Sequence, residues 1–277
     1  MNMNGTDDSQ AASSRSTPMQ QQEEERSDCD PLLRLSGVSV SFGGVHALRN
    51  ISLTVDAGQI CGLIGPNGAG KTTLFDAISG VRPPTSGNIR FAGRNVSKNG
   101  PTSRARLGMR RTFQRSQPFG WLSVEDNIRV ALEGETNSLL GDMARLKGRQ
   151  AKARTERVRE VLAQFNLESV KDQPAGRLPI GLIRMVELAR ALVSKPRLLL
   201  LDEPTSGLDQ RETGLLGRAI AGARRDYGCA VLLVEHDVPF VVQLCDRLVA
   251  LNLGTILADG TPEEVQVNPA VRTAYLG

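Results

Sequence analysis

The stretch GPNGAGKTT, residues 65–73, follows the apolar run at residues 61–64 and decides the fold of the chain. It meets the pattern G-x-x-x-x-G-K-[ST], which is typical of a loop that binds phosphate. Glycine at these points lets backbone N–H groups close around an anion, where a Cβ would block the approach. The predicted phosphate-binding residues are Gly65, Pro66, Asn67, Gly68, Ala69, Gly70, Lys71, Thr72 and Thr73.

Two side chains of this phosphate loop have specific predicted roles. Lys71 reaches toward the β- and γ-phosphates, and the Thr72 hydroxyl holds Mg²⁺. A helix beginning near Gly70 points its positive N-terminal end at the same anion. Because the bare pattern also occurs by chance, a flexible glycine turn between a strand and a helix stays open as an interpretation of the loop alone.

The composition is that of a soluble globular protein, formed as one large domain or two lobes. Of the 277 residues, 40% are hydrophobic and 23% are charged, which suffices to bury a core. Apolar stretches such as residues 198–201 are far too short to span a bilayer. No charged-then-apolar leader opens the chain, so we expect no secretory signal. Four cysteines without C-x-x-C spacing are predicted to be reduced thiols in a cytosolic protein.

The charge is unevenly distributed along the chain, whose total net charge is +4. Residues 1–33 hold seven acidic and two basic residues, so the remaining residues are strongly basic. A basic globular part suits an anionic ligand, an anionic membrane surface or nucleic acid, and charge alone does not choose among them. Residues 1–31 are polar with almost no apolar periodicity, which predicts a disordered acidic tail before a folded domain at residues 32–277.

Strand-like patterns fall into two groups. Near the start of the folded part and again at residues 88–91, apolar residues alternate with polar ones, which predicts an antiparallel β layer. The runs at residues 59–64, 197–201 and 230–234 are continuously apolar, as in strands of a central parallel sheet covered on both faces. Each of these three runs ends in polar or glycine-rich sequence. Since ligands lie at the carboxyl ends of parallel strands, one site built from three strand ends is expected.

Helical periodicity dominates the middle of the chain. It is present at residues 124–132, 158–165 and 182–192, and the last two segments are separated by the helix-breaking stretch QPAG at residues 173–176. These segments predict a helical subdomain at about residues 120–195, inserted into an α/β core. Its basic residues are interpreted as a solvated helix face, with contact to lipid headgroups or a membrane partner as the alternative.

The second strong motif is LLLLDEPTSGLD at residues 198–209. Asp202 ends an apolar strand, where its carboxylate can bind Mg²⁺ directly or through water. Glu203 follows, on the γ-phosphate side, where a carboxylate can polarise water or accept a proton from it. An Asp-Glu pair after a strand is often only a charged helix N-terminus, but the complete string is far more specific.

With these motifs the chain resembles the ATP-binding cassette (ABC) ATPases over residues 34–277. Residues 65–73 match the family's Walker A motif, and residues 198–209 match its Walker B motif, catalytic glutamate and D-loop. The resemblance implies that His236, in VEHD, contacts the γ-phosphate, so Glu203 and His236 are the predicted catalytic pair. The D-loop residues are Ser206, Gly207, Leu208 and Asp209.

Two further positions take their roles from the resemblance. Gln114, in RTFQ, matches the Q-loop glutamine, which couples Mg²⁺ and the attacking water to the transport subunit. The predicted metal ligands are therefore Thr72, Gln114 and Asp202. Phe42 lies where the family places an aromatic ring that stacks on adenine, and stacking supports ATP binding without strict choice of base. A buried core phenylalanine is the alternative interpretation of Phe42.

The family's signature sequence LSGGQ is replaced here by Leu178, Pro179, Ile180, Gly181 and Leu182. Pro179 lacks the serine hydroxyl that reaches the phosphate of the opposing subunit, and Leu182 removes the glutamine. Gly181 and the following helix N-terminus still offer backbone donors. Because the signature acts on the partner's nucleotide, we expect a heterodimer whose partner has a better signature, with a homodimer as the alternative.

Proline in the signature, together with GMRRTFQ at 108–114, ARAL at 189–192 and NPAVRTAYLG at 268–277, resembles the ATPases of branched-chain amino acid importers. The resemblance implies an ATP-hydrolysing subunit using ATP and Mg²⁺ at the cytoplasmic face of the inner or plasma membrane. Its expected partners are a second ABC ATPase subunit, two integral membrane permease subunits and an extracytoplasmic solute-binding protein, with no nucleic acid. The alternatives are a urea, amide or lipopolysaccharide transport cassette, a soluble ABC ATPase, and an unrelated phosphate-loop NTPase.

Overall fold

The computed structural model describes Met1 and residues 30–112, 118–133 and 143–276. The strands in these ranges are β1 (Leu33–Phe42), β2 (Val45–Val55), β3 (Ile60–Ile64), β4 (Ser86–Phe91), β5 (Arg94–Asn95), β6 (Met109–Arg111), β7 (Leu198–Asp202), β8 (Ala230–Val234), β9 (Arg247–Asn252) and β10 (Thr255–Gly260). The helices are α1 (Lys71–Ser79), α2 (Pro101–Arg106), α3 (Val124–Glu133), α4 (Met143–Gln164), α5 (Ile180–Leu192), α6 (Gln210–Tyr227), α7 (Val238–Leu244), α8 (Pro262–Val267) and α9 (Pro269–Leu276).

Contacts between Cα atoms divide the chain into two units, Met1–Asp30 and Pro31–Gly277. Of the first unit only Met1 and Asp30 are described, so the predicted disordered tail at residues 1–31 lies almost entirely outside the described residues. The strands and helices named above all belong to the second unit.

The antiparallel layer has the strand order β2-β1-β4-β5. Strand β1 pairs with β2 and β4 on its two sides, with Leu33 opposite both Val55 and Phe91. The apolar residues that alternate along β1 are buried, including Leu33, Leu35 and Val38. The prediction of an antiparallel layer is therefore confirmed.

The central sheet has the order β10-β9-β3-β8-β7-β6, and five of its strands are parallel. Three of them, β3, β7 and β8, coincide with the apolar runs of the sequence, which confirms the predicted central sheet. The edge strand β10 runs antiparallel to β9, so the sheet is mixed rather than wholly parallel. Sequence patterns did not indicate β6, β9 or β10.

The central sheet separates two hydrophobic cores because the side chains of its strands alternate between the faces. In β7, Leu199 and Leu201 pack with the helices of the middle of the chain, including Val124 and Val161. Leu198 and Leu200 pack on the opposite face with the antiparallel layer and α1. The helical segment thus covers one face of the sheet, and the fold is the predicted α/β arrangement.

Helices α3 and α5 match the predicted segments closely, whereas α4 begins at Met143, well before the apolar periodicity at residues 158–165. The part of α4 before that segment carries many basic residues, and its polar composition hid the helix from a periodicity argument. None of the described helices is long and apolar enough to cross a membrane.

Arg104 is a buried cation in the core, with 1% of its surface exposed. Its guanidinium donates to the carbonyl of Ala77 at 2.6 Å and to that of Ile78, at the end of α1. It also donates to the carbonyls of Val96 at 2.7 Å and Asn99 at 3.0 Å. Burial lowers the pKa of Arg104 to about 10, which leaves it charged at neutral pH. One side chain therefore joins α1, α2 and the segment at residues 96–99 that follows β5.

The three described cysteines, Cys61, Cys229 and Cys245, are buried free thiols. Burial raises the pKa of Cys61 and Cys229 to about 12 and raises that of Cys245 as well. Because a thiolate is the reactive form, these thiols are chemically inert at neutral pH.

Candidate nucleotide site

The glycine-rich loop runs from the end of β3 to the start of α1. Gly70 is the N-cap of α1 and has φ +104°, in the left-handed region that favours glycine. A Cβ at Gly70 would lie 2.7 Å from the carbonyl oxygen of Ala47, which is backbone and cannot give way cheaply. The first-turn N–H groups of any helix have no partner within the helix and point out of its N-terminus. In α1 no side chain caps the N-terminus either. The loop is therefore shaped by sterics to approach an anion.

Lys71 lies inside the loop, where its ammonium donates to the carbonyl of Gly65 at 2.6 Å and to that of Pro66 at 3.0 Å. Burial lowers the pKa of Lys71, and the carboxylates of Glu203 and Asp202 raise it in part. The carboxylates that act on this ammonium are thus those of Asp202, the last residue of β7, and Glu203, which follows it. A phosphate arriving at the loop would supply the negative charge that the half-buried ammonium favours.

Asp202 is nearly buried at the carboxyl end of β7, beside Arg111 of β6. The Arg111 guanidinium lies 3.4 Å from Asp202 and 2.6 Å from Asp76 of α1, so it joins the two carboxylates. Burial raises the pKa of Asp202, and Arg111 opposes that rise. No sequence motif indicated a role for Arg111, although it lies within GMRRTFQ at residues 108–114.

Glu203 follows directly and has φ +47°, a backbone conformation that is uncommon for any residue except glycine. Its N–H donates to the carbonyl of Val234, the last residue of β8, at 2.9 Å. The chain then turns tightly, with the N–H of Ser206 donating back to the carbonyl of Glu203. The turn holds Glu203 at the junction of β7 and β8 instead of letting a helix begin there.

His236 comes two residues after β8 and presents an imidazole whose side chain is 68% exposed. The neighbouring Glu235 has no exposed side-chain surface. Because β3, β8 and β7 are adjacent and parallel, the loops that follow them meet at one edge of the sheet. The phosphate loop, the pair Asp202 and Glu203, and His236 therefore share that edge.

Phe42 ends β1 and is 40% exposed, which excludes the alternative of a buried core phenylalanine. The Arg82 guanidinium carbon lies 4.3 Å from the centre of the Phe42 ring. Arg82 follows α1 closely, and its N–H bonds to the carbonyl of Asp76. The ring thus lies beside the segment after the phosphate-loop helix, with one face in contact with a cation.

The signature segment opens α5, whose N-cap is Pro179 and whose first residue is Ile180. Leu178 and Gly181 are buried, and Leu182 is partly buried against the helical core. Gly181 faces the carboxylate of Glu212 in α6. Glu212 also caps α6, because its carboxylate accepts the N–H of the D-loop residue Asp209 at 3.0 Å. Glu212 therefore links the signature segment to the D-loop of the same chain.

Replacing Gly181 by alanine is expected to lower the free energy of unfolding by about 1 kcal/mol, the usual cost of losing a helix cap. The new Cβ would overlap the Glu212 carboxylate and displace it from Asp209. In a chain that already carries Glu212→Ala, the same replacement should cost nothing, since alanine also favours a helix over glycine. Urea unfolding of the two single variants and the double variant measures this, and strictly additive losses would contradict the contact.

Gln114 falls at residues 113–117, outside the described residues, so its predicted role stays a prediction. Two side chains of this site, Arg111 and Glu212, are not marked by any sequence motif. Both act through side chains that meet residues far away in the sequence, and no local pattern marks such contacts. Among the described residues no cluster of three His, Cys, Asp or Glu side chains is suited to a metal ion.

Comparison with known sequences places these motifs in a family. Residues 48–206 match the model of the ABC transporter family, and residues 255–277 match that of the branched-chain amino acid ATP-binding cassette transporter. BraF of Pseudomonas aeruginosa, a high-affinity branched-chain amino acid transport ATP-binding protein, is 39% identical over 89% of this chain and 98% of its own. LivG of Escherichia coli, also a high-affinity branched-chain amino acid transport ATP-binding protein, is 37% identical over 89% of this chain and 98% of its own.

Solved structures give the same result for the fold. The crystal structure of MJ1267 in its ADP conformation, an ATP-binding cassette of an ABC transporter, matches with a TM-score of 0.76. It is 26% identical and covers 90% of this chain and 100% of its own. The match of fold, motifs and most of the sequence means that this chain binds nucleotide. The chain belongs to the ABC transporter family and is one of its ATPases.

Proposed function

We propose that this chain is the ATP-hydrolysing subunit of an importer for branched-chain or other amino acids. The observation that carries the proposal is the similarity to BraF and LivG over almost their entire lengths, including the C-terminal segment at residues 255–277. That segment contains β10, α8 and α9, which the phosphate-binding chemistry does not require. Its match therefore supports the subgroup rather than ATP binding in general.

The catalytic roles proposed here follow from the shared sheet edge. The loop at residues 65–73 and the N-terminus of α1 bind the triphosphate, with Lys71 on its outer phosphates. Phe42, which is 40% exposed, packs against adenine. Glu203 orients and deprotonates the attacking water, and His236 contacts the γ-phosphoryl group. The loop, Glu203 and His236 follow three adjacent strands of the central sheet, which aligns them, whereas Phe42 comes from the antiparallel layer.

Thr72 and Asp202 are the residues that would hold Mg²⁺ beside the phosphates. A carboxylate and a hydroxyl suit this ion, which usually takes only one or two protein oxygens and leaves its other positions to phosphate and water. The Asp202 carboxylate, nearly buried at the end of β7, fits that ligand set. When bound, the ion neutralises charge on the β- and γ-phosphates. Gln114 is proposed as a further ligand.

That the transport path comes from other subunits is supported by BraF and LivG, which are ATP-binding proteins of transport systems. We propose two integral membrane permease subunits, a second ABC ATPase subunit and an extracytoplasmic solute-binding protein, with this chain peripheral on the cytoplasmic face. The second ATPase subunit would place its own signature over the nucleotide bound here. Two cassettes would close because ATP binds the closed pair more tightly than the open one.

A second cargo class has a specific observation in its favour. LptB of Escherichia coli, the ATP-binding protein of a lipopolysaccharide export system, is 34% identical over 88% of this chain. Its identity is lower than that of BraF and LivG, so the importer is preferred. Urea or amide transport and a soluble ABC ATPase are the remaining alternatives.

The experiment that tests the proposal is purification of the full chain with the products of neighbouring genes, followed by reconstitution into vesicles. ATP-dependent uptake of labelled leucine, isoleucine or valine is expected. Uptake of labelled urea is measured in parallel, because urea transport is the alternative function. A matched preparation carrying Glu203→Gln should show no uptake. Isolation of the chain without any hydrophobic subunit, together with ATP hydrolysis in solution, would instead support a soluble ABC ATPase.

A further inference from the structure

Glu235 is a fully buried carboxylate to which the proposed mechanism gives no part. It lies between Val234, the last residue of β8, and His236. Its side chain has no exposed surface. A charged carboxylate costs several kcal/mol to bury unless hydrogen bonds compensate for its lost hydration. The hydrogen bonds of Glu235 therefore indicate what compensates for its burial.

The hydrogen bonds of the Glu235 carboxylate join the two loops that carry the proposed catalytic pair. One carboxylate oxygen, Oε1, accepts the backbone N–H of Thr205 at 2.8 Å and the Thr205 hydroxyl at 2.7 Å. The other oxygen, Oε2, accepts the backbone N–H of His236 at 3.1 Å. Thr205 is itself buried, so the paired contact is held away from water.

Thr205 is only two residues beyond Glu203, and Pro204 between them restricts the backbone. The N–H of Glu203 is in turn bound to the carbonyl of Val234, the residue before Glu235. The two loops are thus joined twice, once by a backbone bond at Glu203 and once by the Glu235 side chain at Thr205. Glu203, at the first of these attachments, adopts its uncommon left-handed backbone conformation.

We propose that Glu235 is a positioning residue that fixes the loop of Glu203 to the loop of His236. It thereby sets the separation between the carboxylate that activates water and the imidazole that contacts the γ-phosphoryl group. The inference rests on the proposed function, because it takes the roles of those two residues from it. Its energetic basis is that a misplacement of about 1 Å between reacting groups can cost on the order of 100-fold in rate.

The central test is Glu235→Gln in the full chain, assembled with its partner ATPase and membrane subunits. Glutamine keeps the size of the side chain but replaces one acceptor oxygen by an NH₂ group, which then faces an N–H donor. We expect kcat for ATP hydrolysis to fall by about 10-fold or more, while KM for ATP stays within about twofold. The KM should hold because the hydrogen bonds of the phosphate loop do not involve Glu235.

Variants at Thr205 separate positioning from folding. Thr205→Val keeps the shape of the side chain and removes one of the three donors, whereas Thr205→Ser keeps the hydroxyl. The valine variant should lower kcat in the same direction as Glu235→Gln, and the serine variant should restore it. If Glu235→Gln does not fold, the contrast between these two variants decides the question by the same measurement.

Asp246→Asn is the control for loss of a carboxylate that accepts a distant backbone N–H, although Asp246 is exposed and also pairs with Arg224 at 2.7 Å. Asp246 also accepts a distant backbone N–H, that of Ile60 at 2.8 Å, but at the amino end of β3, away from the nucleotide site. It should change thermal stability with little change in kcat. The proposal is overturned if Glu235→Gln and Thr205→Val leave kcat unchanged, or lower it no more than Asp246→Asn does. If the unmodified complex hydrolyses no more ATP than its Glu203→Gln form, the proposed function has failed instead.

Discussion

Replacing Glu203 by glutamine should lower the turnover number for ATP by about 10²- to 10⁴-fold, the usual contribution of a positioned general base. The amide cannot accept a proton from water, but it has nearly the same shape as the carboxylate. ATP binding should survive, because Lys71 and the N-terminus of α1 are unchanged. The two cassettes should then remain closed around unhydrolysed ATP, since release depends on the chemical step.

Three measurements on one preparation check this prediction: phosphate release, retention of labelled ATP, and the fraction of closed dimer by size-exclusion chromatography. Glu203→Asp is the control that retains a carboxylate on a shorter side chain, and it should keep more activity than Glu203→Gln. Normal turnover in the glutamine variant would show that another group activates water.

Replacing Arg104 by methionine should lower the free energy of unfolding by about 3 kcal/mol or more, which is a larger loss than that expected for Gly181→Ala. Buried polar networks that lose one partner typically show losses of this size. Methionine fills much of the space but donates to none of the carbonyls that Arg104 now satisfies in α1 and in the segment at residues 96–99. Each carbonyl left without a partner adds its own cost of desolvation. The loss should also loosen the end of α1, the helix that begins at the phosphate loop.

Chemical denaturation followed by fluorescence or circular dichroism measures the effect. Arg106→Met is the control, because Arg106 is exposed in the same short helix and its replacement should change stability by less than about 0.5 kcal/mol. Equal effects of the two replacements would mean that the guanidinium of Arg104 is not needed for the core.

The parts of the fold that could be predicted are those whose cause is local in the sequence. The strand β7 is continuously apolar because both of its faces are covered, and its end is marked by Asp202 and Glu203. The phosphate loop is recognisable because its glycines are required by backbone conformation and close packing. Strand β6 could not be predicted, since it has three residues and two of them are arginines.

The parts of the site that escaped prediction depend on contacts between distant segments. Arg111 joins α1 to β7, and Glu235 joins the loops after β7 and β8. Nothing in the neighbouring sequence distinguishes such a side chain from a solvated one. The contact of Gly181 with Glu212 is of the same kind, because the sequence indicated only a helix N-terminus available to a partner's phosphate.

The burial of Cys61, Cys229 and Cys245 bears on how subunit closure could be followed in solution. Maleimide reagents couple to thiolates, and these three sulfur atoms are shielded and protonated at neutral pH. A fluorophore could therefore be attached to a cysteine introduced at the exposed Val238, beside His236, with Cys29 as the one native residue to replace. Distance changes between such dyes on two cassettes would then report each ATP cycle, and the three buried cysteines would not have to be replaced.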